Sequence, residues 1–306
     1  MWFRQYIDAG NISINAELTA DIVANENVLN ADGTLNGTPA SKWTPIGKNT
    51  TSADSFTGTL DGKGHTISGL YVNESSDCSG LFAKSKGTIK NINIVDSYIK
   101  GSYHVTTFVG YGYSNCVISN CSSNARIEGT SYNGGIAGET YGKIENSYFA
   151  GTLTSTSSSA NAIVSDYYNR GTVNNCYYID TCGLSSTRAT AKTAEEFASG
   201  EVCYLLNGSS SQSPVWYQNI DMGEADSMPT LHNNHYTVYK VGTDYTNKTF
   251  DVNKDGKTDN ADVAYILKYT GGIITEEQIP DLNAADVNGD GSVDMLDAIS
   301  LMSIIA

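Results

Sequence analysis

The feature that most limits how this chain can fold is a phrase it repeats. Five times an apolar residue stands ahead of a small or polar pair: Ile67-Ser68-Gly69-Leu70, Ile89-Lys90-Asn91-Ile92, Ile118-Ser119-Asn120-Cys121, Ile144-Glu145-Asn146-Ser147 and Val173-Asn174-Asn175-Cys176. The steps are 22, 29, 26 and 29 residues. A second apolar landmark, Phe82, Phe108, Ile136 and Ile163, precedes four of the copies in glycine-rich or small-residue surroundings. A period in the twenties, built from short strands and glycine turns, predicts a solenoid. Each coil adds strands about 4.8 Å from the last. One coil cannot bury its apolar face alone, so the coils must stack.

Stacking turns sequence offsets into lines. Leu70, Ile92, Cys121, Ser147 and Cys176 are expected on one line, and Asn91, Asn120, Asn146 and Asn175 on the next. Stacked amides can pass hydrogen bonds from coil to coil at a bend, which is a structural role. Cys121 and Cys176 then lie two coils apart, roughly 10 Å, too far for a disulfide. The six cysteines make no CxxC pair, so a zinc site is not indicated. Several read as small buried apolar residues.

Composition agrees with an all-β chain: 17% charged, with 30 Gly and 20 Tyr among 306 residues. The net charge is −15, and residues 251–306 hold eleven Asp/Glu against three Lys, so eight of those charges lie in the tail. No basic stretch suits nucleic acid. No apolar run reaches the roughly 20 residues of a membrane span. The chain opens Met1-Trp2-Phe3-Arg4 without a signal-peptide pattern. Met1 is read as an engineered start or a truncation, and the native precursor as secreted. Residues 1–240 are expected to form the solenoid with N- and C-terminal caps, because an open end would expose strand edges. Residues 241–250 read as a short linker and 251–306 as a separate module.

The phrase Phe56-x-Gly58-x-Leu60-Asp61-Gly62-x-Gly64-His65-x-Ile67, then Gly80-Leu81-Phe82, then Gly87-x-Ile89-x-Asn91-Ile92, resembles the bacterial surface repeats called GLUG. The resemblance runs from about Ala16 to Asp180. It implies a right-handed parallel β-helix.

No catalytic residue is assigned. A glycosidase needs two carboxylates on one cleft, and the coil acids Asp61, Asp77, Asp96, Glu128, Glu139, Glu145 and Asp166 show no spacing that pairs them. Asp61 reads as a turn cap. Glu128 beside Arg126 and Glu139 near Lys143 are expected near each other on one face. His65 and His104 read as lone turn or surface residues. The tyrosines at 98, 103, 111, 113, 132, 141, 148, 167, 168, 177 and 178 are read as exposed, suiting sugar rings, protein interfaces or simple coil-on-coil stacking. The solenoid is therefore read as a non-catalytic module binding glycan, such as plant cell-wall polysaccharide, or protein. The alternative is a polysaccharide lyase or glycoside hydrolase on a β-helix, an inference from fold alone.

The tail writes one twelve-residue pattern twice, at Asp251–Asp262 and Asp286–Asp297. Oxygen-bearing side chains occupy positions 1, 3, 5, 9 and 12, and Gly256 and Gly291 occupy position 6. This layout resembles an EF-hand calcium loop. The expected ligands are Asp251, Asn253, Asp255, Lys257 through its carbonyl, Asp259 and Asp262. In the second copy they are Asp286, Asn288, Asp290, Ser292 through its carbonyl, Asp294 and Asp297. Position 12 is Asp rather than Glu, and no helical period precedes the first loop. Loop then helix, twice, resembles a dockerin over roughly residues 247–306. That resemblance implies two bound Ca²⁺ and a cohesin partner on a cellulosome-type scaffold, hence a secreted, extracellular setting. It also assigns the partner face to Asn260, Ala261, Leu267 and Lys268 in the first copy. In the second copy the face is Met295, Leu296, Met302 and Ser303.

Overall fold

The computed structural model describes residues 2–47, 51–53, 55–165, 168 and 170–305. By its internal contacts the chain divides into two compact units, residues 1–194 and 195–306.

The first unit is a parallel β-solenoid with three faces. One face carries Thr59–Asp61 and Thr66–Ser68, then Thr88–Val95, Val117–Ser123, Lys143–Glu145 with Tyr148–Phe149, and Thr172–Asn174 with Tyr177–Ile179. The second face stacks Tyr71–Asn73, Tyr98–Lys100, Arg126–Gly129 and Thr152–Ser155. The third stacks Phe82–Ser85, Val109–Gly112 and Ala137–Thr140. A short helix, Trp2–Asp8, precedes the coils and buries Ile7.

Register corrects the expected repeat. Leu60, not Ile67, pairs with Ile89, which continues to Ile118, Ile144 and Val173. The steps are therefore 29, 29, 26 and 29 residues. Ile67 pairs with Ile94 instead, because the first coil breaks its strand at a Gly62–Gly64 turn that the next coil lacks. Leu70 consequently leaves the Cys121 line and sits beside Ser97, whose hydroxyl accepts its N–H. On the third face the line begins at Leu81, which donates to Thr107, one residue ahead of the expected Phe82. Val72, Ile99, Ile127 and Leu153 form a further core line, on the second face, that was not anticipated.

The asparagine line is present. Asn91, Asn120, Asn146 and Asn175 all adopt left-handed backbone, with φ of 56°, 50°, 48° and 50°. Among non-glycine residues Asn tolerates that region best. Asn120 donates to Asn91, Asn175 donates to Asn146, and Asn91 donates to Asp61. Asp61 also accepts the backbone N–H of Lys63 and faces the Lys90 ammonium. Burial pushes its carboxyl up, but these three partners outweigh it and hold it below the usual carboxylate range.

All six cysteines are buried free thiols. Burial pushes the thiols of Cys116, Cys121 and Cys176 up to about 12, so they behave as small apolar residues. Not all the tyrosines are exposed: Tyr98, Tyr148, Tyr177 and Tyr178 are buried. Tyr167 and Asp166 lie outside the described residues.

The second unit begins with helices Ala194–Ala198 and Glu201–Leu206, the first starting at the unit boundary. Phe197, Val202, Cys203, Leu206, Trp216, Leu231 and Val238 are buried in it. By internal contacts these residues group with the C-terminal residues in one unit, Glu195–Ala306. Residues 241–250 carry one strand of a hairpin. Tyr239–Val241 pairs antiparallel with Asp244–Thr246. Asn247 is fully buried, donating to the Gln218 and Thr237 carbonyls and accepting from the Ile220 N–H. Phe250 is buried with Val252, Val263, Ile266, Ala285, Ala298 and Leu301 in the core beneath the two loop–helix copies.

Candidate functional site

The two loops are built alike. In the first, Asp251 accepts the N–H groups of Asp255 and Gly256 at 3.0 and 2.8 Å. Asn253 accepts from Asp255, and Asp255 from Lys257. Asp262, fully buried, ties the two ends together by accepting from Asn253 and Asp259. Asp259 also caps the helix Asn260–Thr270, forming a reciprocal box with Asp262. In the second loop Asp286 accepts from Gly291, Asn288 from Asp290, and Asp290 from Ser292. Buried Asp297 accepts from Val287, Asn288 and Asp294. Asp294 accepts from Leu296 at the start of the helix Met295–Ile305. Gly256 and Gly291 share φ of 88°, the conformation the tight turn demands.

These bonds use only part of the accepting capacity of the loop oxygens. Asp286 Oδ1 is buried and has no hydrogen-bond partner. A carboxylate oxygen so placed is costly unless a cation answers it. Among the described residues no three His, Cys, Asp or Glu side chains by themselves group as a metal cluster. Each loop carries an amide (Asn253, Asn288) among its carboxylates and offers backbone carbonyls beside them. Such an all-oxygen mixture suits Ca²⁺ rather than a softer ion.

The helices carry the second part of the site. Asn260, Ala261, Leu267 and Lys268 are exposed, and so are Met295, Leu296, Met302 and Ser303. Leu267 is 39% exposed, Met295 53%, Leu296 56% and Met302 43%. Ile299 is 52% exposed, whereas Ala298 and Leu301 are buried. Met295, Ile299 and Met302 follow at i, i+4 and i+7, so one stripe of the second helix is apolar and open. The matching positions of the first helix, 35 residues earlier, are Asn260, Ala264 and Leu267.

The description of the dockerin type I domain matches this stretch, residues 247–306. Those residues form a dockerin type I domain. Dockerins of this type are calcium-binding modules whose partner is a cohesin, and the role that comes with the domain is docking in a cellulosome-type assembly. The match begins at Asn247, the buried pin of the preceding hairpin. Among the described residues no helix is long and apolar enough to cross a membrane.

Halomucin from Haloquadratum walsbyi (strain DSM 16790 / HBSQ001) is 33% identical over 128 residues. The matched stretch is 40% of this chain and 1% of halomucin. A crystal structure from Bacteroides ovatus, provisionally described as an immunoglobulin A1 protease, is similar with a TM-score of 0.45 and 16% identity. The match covers 74% of this chain and 89% of that one. That likeness says nothing about activity.

Within the solenoid the acids disperse. Glu128 on the second face holds Arg126, Lys100 and the Tyr98 hydroxyl, and burial with this contact pushes the Tyr98 phenol up to about 12. Glu145 pairs with Lys143 on the first face. Glu139 lies on the third face, so Glu128 and Glu139 do not share a face as expected. His104 is not alone. Its Nε2 is 3.2 Å from Glu139 and its Nδ1 is 3.9 Å from Cys78 Sγ. Gly138 makes this approach possible, since a Cβ there would stand 2.6 Å from the His104 Cα. The trio has the outline of a nucleophile, base and orienting acid. However, burial pushes the Cys78 thiol up to about 11, which leaves it protonated and unreactive at neutral pH. The sequence signal for the trio was the coil step: Cys78 and His104 are 26 residues apart.

Proposed function

We propose that this protein is a secreted cellulosome component held to a scaffold cohesin by two Ca²⁺-loaded loops. One ion is held by Asp251, Asn253, Asp255, the Lys257 carbonyl, Asp259 and Asp262. The other is held by Asp286, Asn288, Asp290, the Ser292 carbonyl, Asp294 and Asp297. The unanswered, buried Asp286 Oδ1 is the observation that carries the metal reading. Bound calcium would neutralise carboxylates that otherwise repel, so metal affinity and folding of the module are one free energy.

Docking takes place through Asn260, Ala261, Leu267, Lys268, Met295, Leu296, Met302 and Ser303. The apolar stripe of the second helix makes the two copies unequal. A dockerin with equal copies can seat in two orientations related by a half-turn; this one favours the orientation that buries Met295, Leu296 and Ile299. The solenoid is the delivered part and acts as a non-catalytic binding module. The dispersal of its acids over three faces favours this reading over a lyase or hydrolase.

Isothermal calorimetry of the full chain against a panel of type I cohesins, with calcium and with EDTA, tests the docking. Binding is expected with calcium alone, and binding that ignores chelation would overturn it. Release of sugar from plant polysaccharides by the full chain, lost on substitution in the solenoid, would overturn the non-catalytic reading.

A further inference from the structure

The third face of the solenoid carries an ordered track of side chains that the coil core does not require. Lys84, Tyr111 and Glu139 occupy one register position on three successive coils. Two residues on, just past the strand ends, come Lys86, Tyr113 and Tyr141, with Arg170 beside Tyr141. Tyr113 donates its backbone N–H to Ser85, Tyr141 to Gly112, and Gly171 lies against Gly142. Three coils thus read Lys-x-Lys, Tyr-x-Tyr and Glu-x-Tyr, and Arg170 continues the second row onto a fourth.

The groups touch along the track. Lys86 stands over the Tyr113 ring at 5.3 Å, and Tyr111 lies 5.0 Å from Tyr113 and 5.8 Å from Tyr141. Arg170 stands 4.8 Å over both Tyr141 and Tyr168 and donates to the Tyr141 hydroxyl. His104 stacks on Tyr132 beside Tyr111. The second face supplies a contrast. There Tyr71 and Tyr98 also stack, but the chain covers them with Val28, Leu29 and Leu35, and they are 3% and 4% exposed. Here Tyr103, which packs on Tyr132, is 45% and Tyr168 50% exposed, and Tyr111, Tyr113, Tyr132 and Tyr141 remain half-buried. Beneath them Glu139 is 5% exposed, and its Oε1 is buried without a partner.

We infer that this track binds a linear anionic glycan, a polysaccharide bearing uronate carboxylates. The inference rests on the reading of the solenoid as a binding module. Three observations select the ligand. The track runs straight across four coils, roughly 14 Å, and repeats at a step comparable to one pyranose unit. Tyrosine faces and hydroxyls offer a sugar both stacking and hydrogen bonds. Three cations, Lys84, Lys86 and Arg170, line the track on a chain of net charge −15, while its carboxylate, Glu139, is engaged by His104. Anionic units fit that distribution, and cation–aromatic pairs hold Lys86 and Arg170 in place.

The test is affinity electrophoresis of the full calcium-loaded chain in gels containing polygalacturonate, fully methyl-esterified polygalacturonate or a single-stranded oligonucleotide. The variants are Arg170→Ala and Tyr141→Ala, with Lys100→Ala on the second face as control. Circular dichroism and the thermal transition report folding. Retardation by polygalacturonate is expected, weakened about tenfold by either track variant, unchanged by Lys100→Ala and lost in the ester. Retardation that ignores both track variants would overturn the track while leaving the binding-module reading standing. Equal retardation by the ester would overturn the anionic ligand. Stronger retardation by the oligonucleotide would overturn the glycan. Retardation by none of the three would overturn the track as a glycan site; a solenoid that also fails against neutral glycans and proteins would lose the binding-module reading.

Discussion

Both regions of this molecule repeat themselves, and both place Asx residues in tight bends, yet they are glued differently. In the solenoid Asn120 passes a hydrogen bond to Asn91, and Asn91 passes one to Asp61. A neutral amide is donor and acceptor at once, so a ladder of them closes with little help from outside. In the dockerin the bends are lined by carboxylates, which only accept, and backbone N–H groups satisfy part of their demand. The rest would fall to a cation. Stacking is expected to leave the solenoid indifferent to metal, and the acidic loops to make the C-terminal unit depend on it.

The largest break in this comparison should come from Asp297→Ala. It leaves the N–H groups of Val287, Asn288 and Asp294 without their acceptor. A loss of about 3 kcal/mol or more from the C-terminal unit is expected, read as a lowered calcium-dependent transition with the solenoid transition unmoved. Next, replacing Met295 and Leu296 by Asn and Ala should weaken cohesin binding by about 2 kcal/mol, measured by calorimetry. Changing Asn260 and Ala261 should cost much less; equal effects would remove the preferred orientation. On the solenoid side, Asn120→Ala forfeits the bond to Asn91 and puts alanine in left-handed backbone. About 2 kcal/mol is expected, identical with and without calcium.

Acid provides a milder probe. The Asp61 carboxyl is held below its ordinary value of 3.8 in the folded chain. Its contribution is complete above that value and fades as pH falls through the lower folded value. The wild-type solenoid should therefore lose stability there relative to Asp61→Asn, as followed by thermal melts across acidic pH. The smallest effect concerns Lys254, whose φ is 60° where the second loop has Gly289 at 75°. Its contact with Asp281 is exposed and contributes little. Lys254→Gly should leave the calcium-loaded module equal or more stable by up to about 1 kcal/mol, seen as a small upward shift of its transition.

The sequence made some of this visible and hid the rest for physical reasons. The asparagine line was legible because one residue type serves one backbone conformation, coil after coil. The starting coil was misaligned because Ile67 and Leu60 are both apolar ends of short strands, and periodicity cannot say which of the two continues the line. Residues 241–250 looked like a linker because the role of Asn247 is to fill three backbone demands at once, which no local pattern announces. His104 looked solitary because its partners, Cys78 and Glu139, come from neighbouring coils. In the dockerin the two loop–helix copies were readable by spacing, whereas the exposure of Ile299 depends on which stripe of its helix meets Phe250 and Val263.

Differential scanning calorimetry of the full chain, in calcium and then in excess EDTA, addresses the contrast directly. Two transitions are expected in calcium. Chelation should abolish or sharply lower the one that belongs to the C-terminal unit and leave the solenoid transition where it was. Two transitions that both persist unchanged in EDTA, or that both move together, would contradict the account.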